Sequence, residues 1–156
     1  MTTKTAQIKH RNLPLLLLQA RESVFANFRP ILHAHGVTEQ QWRVIRALLE
    51  QGPMEPKRIC EVCRILSPSL AGMLSRMDDL GLVKRARLDH DQRRLLVSLT
   101  PKSRALAAKM SPQIEATYKE LEARLGERFT KDLYATLDSL IEVLGTPAED
   151  SEDGDA

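Results

Sequence analysis

The chain has 156 residues, of which 42% are hydrophobic and only 4% aromatic, so it has the size of one domain with a mainly aliphatic core. The formal net charge is +2, but the last ten residues carry five acids and no base, so the rest of the chain is distinctly basic, as suits a partner rich in phosphates. No apolar run approaches the roughly 20 residues that span a bilayer, and the apolar run at residues 13–18 is too short for a signal-peptide core. We therefore expect a cytoplasmic protein without a membrane partner.

The N-terminal third of the chain predicts two helices. The first covers residues 15–32, and Pro30 should kink or interrupt it near its end. The second begins at Thr38 and continues to about Glu50. Thr38 and Gln41 have the spacing of a capping box, which predicts where this second helix begins.

Two short helices are predicted next, at Glu55–Ile65 and from Ser67 to about Leu80. In the second, Ser67 is the expected N-cap and Gly81 the expected C-cap, and apolar residues recur at intervals of three and four. The opposite face carries mostly small side chains and one arginine: Ser69, Gly72, Ser75, Arg76 and Asp79. The residues of this helix that we expect to contact DNA are Ser67, Ser69, Gly72, Ser75 and Arg76. Small side chains let a helix approach DNA closely, and an arginine can bind guanine. The pattern predicts a helix-turn-helix that reads the major groove, although a surface helix with a polar outer face has the same pattern.

A charged segment then separates two runs of strand-like composition, residues 82–83 and 95–99. Its arginines include Arg87, Arg93 and Arg94, and arginines on a loop tip can enter the electronegative minor groove. We expect Asp91 to orient the guanidinium of Arg93. A solvated charged hairpin is the alternative. Together with the helix pair, this hairpin predicts a mainly α fold with a small β hairpin, a winged helix-turn-helix that binds double-stranded DNA.

The C-terminal third predicts a long helix from Thr100-Pro101 to about Leu125 and a last helix that begins at Thr130. The helices at both ends of the chain are too apolar to stand alone in water, which predicts a homodimer formed through them. We expect one unit at residues 1–146, with dimerisation helices at 15–35 and 101–146 and a DNA-binding lobe at 38–100. Residues 147–156 should be a disordered acidic tail.

The sequence carries no pattern typical of an enzyme or a metalloprotein. Four scattered histidines, seven glycines and the absence of catalytic or phosphate-binding motifs predict neither catalysis nor a cofactor. Cys60 and Cys63 lie three positions apart, but without a second cysteine pair or suitable histidines they predict no metal site. We interpret them as small buried residues, with a redox switch as the alternative.

The order of the elements and the segment Asp91-Gln92-Arg93-Arg94 leading to Leu99-Thr100 resemble the MarR family of transcription regulators. The resemblance extends from about residue 15 to residue 144. Three further segments, QARES at 19–23, FRPIL at 28–32 and TEQQWRVIRAL at 38–48, resemble the HpaR-type repressors of homoprotocatechuate and hydroxyphenylacetate degradation. The resemblance implies a dimer joined through its terminal helices, a near-palindromic operator and repression of an aromatic-compound catabolic operon.

The resemblance also implies an effector, a hydroxylated aromatic carboxylate bound between the dimer helices and the DNA-binding lobe. Such a ligand needs a cation, an apolar slot and a hydrogen-bonding partner for its hydroxyl group. Residues of these types occur in the first two predicted helices, and the expected ligand residues are Arg21, Ser23, Asn27, Trp42 and Arg46, with Arg43 as a further cation.

Several alternatives remain open on the sequence. Arg21 could form a salt bridge with Glu22 or Glu39, and Trp42 could pack in the core. The whole protein could be a redox-sensing repressor of the same fold, or an architectural DNA-binding protein without a small ligand.

Overall fold

The computed structural model describes residue 3 and residues 5–145. These residues form seven helices and one antiparallel β-hairpin: α1 (Leu13–Phe25), α2 (Arg29–Ala34), α3 (Glu39–Gln51), α4 (Pro56–Cys63), α5 (Ser67–Asp79), β1 (Val83–Leu88), β2 (Asp91–Leu99), α6 (Pro101–Leu125) and α7 (Glu127–Leu144). The predicted fold class, mainly α with a small hairpin, is confirmed. The predicted acidic tail at 147–156 lies outside the described residues.

The predicted helix at residues 15–32 is divided into α1 and α2. The chain leaves α1 after Phe25, and Pro30 lies in the first turn of α2, where its missing N–H is not needed. The interruption is therefore earlier than Pro30 itself, and the proline begins the second helix instead of kinking the first.

Helix α3 runs through the centre of the core, and its predicted start is confirmed. The hydroxyl of Thr38 accepts the backbone N–H of Gln41 at 3.1 Å, and the Gln41 side chain accepts the N–H of Thr38 at 3.1 Å. Val44, Ile45 and Leu48 are almost completely buried. This helix consequently supports both the helix-turn-helix and the long helix α6.

The helix-turn-helix consists of α4 and α5, joined by a turn in which Arg64 has a left-handed φ of 55°. The prediction that Ser67 caps α5 is wrong. Leu66 is the N-cap, because its carbonyl accepts the first N–H groups of the helix, from Ser69 and Leu70, each at 3.0 Å. Ser67 is the first helical residue, and its hydroxyl lies 3.6 Å from the sulfur of Cys60.

The end of α5 follows the prediction for Gly81. The N–H of Gly81 donates to the Asp78 carbonyl at 2.9 Å and the N–H of Leu82 donates to the Met77 carbonyl at 2.8 Å. This pair of bonds needs a left-handed residue, and Gly81 has φ of 72°. Leu80 is 50% exposed, so it does not belong to the buried face that the apolar spacing predicted.

The hairpin, or wing, is longer than the two predicted strand segments. Its register runs from Val83 opposite Leu99 to Arg87 opposite Leu95, and the next pair is Leu88 and Asp91. Residues 92–94 therefore have no partner on β1 and form a bulge next to the tip. Val97 also pairs with Met54, which attaches the wing to the segment before α4.

Helix α6 begins at the predicted place, with Thr100 as N-cap, whereas α7 begins at Glu127, three residues before the predicted Thr130. Gly126, with φ of 91°, makes the turn between them. Neither α1 nor α7 buries a residue within the chain, and several of their apolar side chains are about half exposed, among them Leu18, Phe129 and Ile141. None of the helices in residues 5–145 is long and apolar enough to cross a membrane.

Candidate DNA-binding surface and ligand cavity

The outer face of α5 brings together the side chains predicted to contact DNA. Ser67, Ser69, Gly72 and Arg76 are exposed, and Ser75 is partly buried. Leu70, Met73, Leu74 and Met77 hold the opposite face in the core. A Cβ on Gly72 would lie 3.6 Å from Nη1 of Arg76, so this arginine lies over the glycine. The face is consequently flat and carries one exposed cation.

Arg87 and Arg93 are exposed on the wing beside this helix. Asp91 does not orient the guanidinium of Arg93, as the sequence suggested; its carboxylate accepts the backbone N–H of Arg93 at 3.0 Å. Nη1 of Arg87 donates to the backbone carbonyl of Arg93 at 3.3 Å. Both contacts fix the backbone of the bulge, and the guanidinium of Arg93 forms no ion pair with residues 5–145.

Unlike Arg93, Arg94 forms an ion pair with another part of the lobe. Its Nε lies 2.6 Å from Oε1 of Glu55, at the N-terminus of α4. This hydrogen bond holds the pKa of the Glu55 carboxyl below its ordinary range and raises the pKa of Arg94. A second ion pair, Arg85 with Asp78 at 2.9 Å, joins the wing to α5. Both pairs join the wing to the helix-turn-helix, and neither follows from a local pattern in the sequence.

A cavity of about 640 Å³ opens between α1, α3, α6 and α7 and reaches the end of α4. Its size is in the range typical of small-molecule sites. The predicted ligand residues Arg21, Trp42 and Arg46 all line it. Aromatic side chains supply much of its wall: Phe25, Phe28, Trp42 and Tyr118.

Tyr118, on α6, is the cavity residue that sequence reasoning missed. Its ring packs against Phe28 with a centroid distance of 4.8 Å and an interplanar angle of 54°. Arg46 donates to its hydroxyl at 3.0 Å and to the carboxylate of Glu50 at 2.6 Å. The bond to Glu50, and after it the bond to Tyr118, raises the pKa of Arg46 although partial burial opposes this. Arg46 is therefore a permanently charged and well-oriented donor at the cavity wall.

Arg21 both lines the cavity and forms the salt bridges considered as its alternative role. It pairs with Glu39 and, at 3.5 Å, with Glu22, and its guanidinium carbon lies 5.8 Å from the centroid of the Phe25 ring. Glu39 also pairs with Arg43, at 3.0 Å. Three arginines and two glutamates line the cavity, so its lining carries one more positive charge than negative charges.

Ser23 and Asn27 do not line the cavity. The hydroxyl of Ser23 donates to the Gln19 carbonyl at 3.0 Å, and the Asn27 amide donates to the carbonyls of Ser23 and Val24 at 2.9 and 3.1 Å. Ser23 follows Arg21 by two positions, which places it on nearly the opposite side of α1. Their role in binding a ligand stays a prediction.

Cys60 and Cys63 are buried and unbridged. The thiol of Cys63 donates to the Arg43 carbonyl at 3.5 Å and lies at the cavity wall. Burial raises the pKa of the Cys63 thiol, which keeps it protonated and a weak nucleophile at neutral pH. The interpretation as small buried residues is confirmed for both.

A family model, a related sequence and solved structures all match this chain as a transcription regulator. The MarR family model matches residues 35–94. The chain is 40% identical over 146 residues to the homoprotocatechuate degradative operon repressor of Escherichia coli, covering 94% of this chain and 98% of that one. The crystal structure of transcriptional regulator PA4135 has a TM-score of 0.82 and 42% identity, covering 86% of this chain and 98% of that one. The structure of NadR in complex with 4-hydroxyphenylacetate has a TM-score of 0.74 and 36% identity, with coverages of 86% and 96%.

The two solved structures share the winged fold described above, and the matched family is one of DNA-binding transcription regulators and not of enzymes. The chain therefore belongs to the MarR family of transcriptional regulators.

Proposed function

We propose that the protein is a repressor of an aromatic-compound catabolic operon, and that a hydroxylated aromatic carboxylate releases it from a near-palindromic operator. The observation that carries this proposal is the cavity, which combines aromatic walls, an oriented arginine–tyrosine pair and three arginines against two glutamates. It opens beside the helices that carry the DNA-binding lobe.

On DNA, α5 enters the major groove with its flat face of Ser69, Gly72 and Arg76 towards the bases. Arg76 is the residue of this face able to bind guanine through two hydrogen bonds. The wing lies along the DNA backbone, and Arg93 reaches into the minor groove. Its guanidinium forms no ion pair among residues 5–145. Arg87, Asp91 and Arg94 contribute by fixing the shape and position of the wing.

The protein acts as a homodimer joined through α1, α6 and α7. The apolar side chains of α1 and α7 that one protomer leaves half exposed support this arrangement, because a second copy would remove them from water. A two-fold axis would place two α5 helices about one DNA turn apart, which is why a near-palindromic operator is expected.

The effector is a monocarboxylate with a hydroxylated ring. The carboxylate of such a ligand suits a lining with three arginines and two glutamates, the aromatic side chains offer a slot for the ring, and Tyr118 with Arg46 offers donors for an oxygen atom. Two relatives support this ligand class: one is named for homoprotocatechuate degradation and the other was crystallised with 4-hydroxyphenylacetate.

Release follows from a shift between two states of the dimer. In the ligand-free dimer, the distance between the two α5 helices lets both bind their half-sites. The ligand favours a different distance, at which only one half-site can be bound. A ligand can shift this equilibrium only by its preference for one state, and a hundredfold preference corresponds to about 2.7 kcal/mol.

The test is a fluorescence-anisotropy titration of the protein on DNA from upstream of its own gene. Adding 4-hydroxyphenylacetate or homoprotocatechuate should release the DNA, whereas 4-hydroxyphenylacetamide, which lacks the charge, should release it poorly. Tight operator binding that none of a panel of hydroxylated aromatic acids reverses would contradict the effector class.

The two alternative functions have less support. A redox sensor needs an accessible thiolate, and both cysteines are buried, with the pKa of Cys63 raised. An architectural DNA-binding protein has no need of a cavity with oriented polar groups.

A further inference from the structure

Glu39 lies between two arginines at the wall of the ligand cavity. Its Oε1 pairs with Nη2 of Arg21 on α1 and, at 3.0 Å, with Nη2 of Arg43 on α3. The side chains of all three are partly exposed, at 28% for Glu39, 33% for Arg43 and 46% for Arg21. The protein thus already holds a carboxylate of its own where arginines would bind the carboxylate of a ligand.

Arg43 also contacts the helix-turn-helix. Its Nη1 donates to the carbonyl of Cys63, the last residue of α4, at 2.8 Å. Carbonyls at a helix C-terminus lack intrahelical partners, and a cation there is favourable. The thiol of Cys63 in turn donates to the Arg43 carbonyl at 3.5 Å, so two hydrogen bonds join α3 to the end of α4.

The end of α4 fixes the start of the recognition helix. Only the turn at residues 64–66 separates Cys63 from α5, and Arg64 occupies a left-handed conformation there. Ser67, the first residue of α5, contacts the sulfur of Cys60 at 3.6 Å. A change in how Arg43 holds the Cys63 carbonyl therefore acts directly where α5 begins.

We propose that Glu39 is an internal competitor for the effector carboxylate and that Arg43 transmits its displacement to the recognition helix. The effector carboxylate takes over guanidinium N–H groups that Glu39 now occupies, since both groups bind arginine in the same way. When Arg43 turns towards the effector, the Cys63 carbonyl loses its donor and the turn before α5 loosens. This inference rests on the effector class proposed above.

The cavity offers a built-in comparison in Arg46. Its partners, Glu50 and Tyr118, lie on α3 and α6, and among residues 5–145 it forms no hydrogen bond to α4 or α5. Arg46 can therefore bind a ligand without changing a contact of α4 or α5, whereas Arg43 joins the cavity to α4 by a direct hydrogen bond.

The first experiment needs no effector. Hydrogen–deuterium exchange of the ligand-free protein is compared for the wild type, Glu39→Gln and Arg43→Gln. Exchange at the end of α4 and at residues 64–67 should rise about threefold or more in Arg43→Gln and to a smaller degree in Glu39→Gln. The control is Glu61→Gln, which removes a carboxylate of α4 that pairs with Arg58; it should leave this segment unchanged. Unchanged exchange in Arg43→Gln would overturn the role of Arg43.

The second experiment measures binding by calorimetry. Glu39→Gln should bind 4-hydroxyphenylacetate about fivefold more tightly than the wild type, because it removes a competing charge, and bind the neutral amide about equally. Equal or weaker binding of the acid would overturn the competitor role. Arg43→Gln should still bind the acid. Because it lacks the bond to the Cys63 carbonyl even without acid, it should bind the operator more weakly than the wild type and lose little further affinity when acid is added; operator affinity and release equal to those of the wild type would again overturn the inference.

The two experiments separate this inference from the proposed function. If the wild-type protein binds no aromatic acid, the effector class is wrong, and the exchange experiment alone then decides whether Arg43 holds the end of α4. If the wild type binds and responds normally but the variants behave like it, the inference is wrong and the proposed function stands.

Discussion

Arg94 on the wing and Glu55 at the start of α4 form an ion pair of 2.6 Å, although 39 positions separate them in the chain. Together with the pair between Arg85 and Asp78, it connects the wing to both helices of the helix-turn-helix. With the backbone pairing of Met54 and Val97, these two ion pairs favour one position of the wing relative to α5 before DNA binds, which reduces the ordering that binding requires.

We expect Glu55→Gln to lower the specificity of DNA binding. The change removes a negative charge, which should raise the affinity for DNA of any sequence. It also removes the ion pair with Arg94 that helps to hold the wing. The ratio of operator affinity to affinity for unrelated DNA should fall about threefold or more. The control Asp89→Asn removes an acid at the wing tip that forms no ion pair within residues 5–145, and should raise both affinities alike. An unchanged ratio in Glu55→Gln would mean that the pair does not position the wing.

The same pair predicts a pH dependence. Because the bond to Arg94 lowers the folded-state pKa of Glu55 below its ordinary value of 4.5, its stabilisation is complete above that ordinary value and is lost as the pH falls through the lowered one. The difference in thermal stability between the wild type and Glu55→Gln should therefore be constant between about pH 6 and 8 and disappear at strongly acidic pH. Thermal denaturation monitored at a series of pH values measures it.

Arg93→Ala should weaken operator binding about tenfold or more while the protein stays folded and dimeric. The guanidinium of Arg93 is free of ion pairs within residues 5–145, so the loss falls on DNA contact and not on stability. The salt dependence of binding should also decrease by about one ion. Lys119→Ala on α6 removes the same charge away from the wing and is the matched control. Equal effects of both variants would refute a specific contact by Arg93.

Local signals in the sequence predicted the parts of the fold that depend on neighbouring residues. The capping box of Thr38 and Gln41 and the left-handed Gly81 are decided within a few positions, and both are confirmed. Ser67 has the composition of an N-cap but not the role, because Leu66 supplies the first acceptor carbonyl and the Ser67 hydroxyl faces Cys60.

The candidate site was less predictable because its members come from distant parts of the chain. The two helices named in the sequence analysis supplied Arg21, Trp42 and Arg46 of the cavity, but Tyr118 lies 72 positions after Arg46 and no local pattern links them. Ser23 was selected for its chemistry and lies on the other side of α1. Direction around a helix therefore has to be weighed together with residue type.

Arg21→Ala should leave operator binding nearly normal and weaken effector binding about tenfold or more, since it removes a charge at the cavity wall. Arg29→Ala is a close control: Arg29 also pairs with Glu22 and lies 5.3 Å from the Phe25 ring centroid, but it does not line the cavity. Calorimetry with 4-hydroxyphenylacetate and sedimentation of both variants are the measurements. Loss of the dimer in Arg21→Ala would assign this arginine to the interface instead.

The double variant Cys60→Ser, Cys63→Ser should leave the response to the effector intact and show no altered response to peroxide. Both thiols are buried, and the raised pKa of Cys63 leaves little thiolate to react. Operator binding is measured before and after peroxide treatment in the wild type and the variant. Peroxide-induced release that the wild type shows and the variant lacks would restore the redox interpretation.

Ile141→Glu should dissociate the dimer and thereby weaken operator binding. Ile141 is 55% exposed on α7 and does not line the cavity, so a charge there costs little within one protomer but would be buried against a second copy. Ser139→Glu places the same charge on the same helix at an exposed polar position and is the matched control. Sedimentation should give a monomer for Ile141→Glu alone. A monomer holds only one α5, so affinity for the two-half-site operator should fall about a hundredfold, while affinity for a single half-site changes little. A dimer that survives this substitution would place the interface elsewhere than on α7.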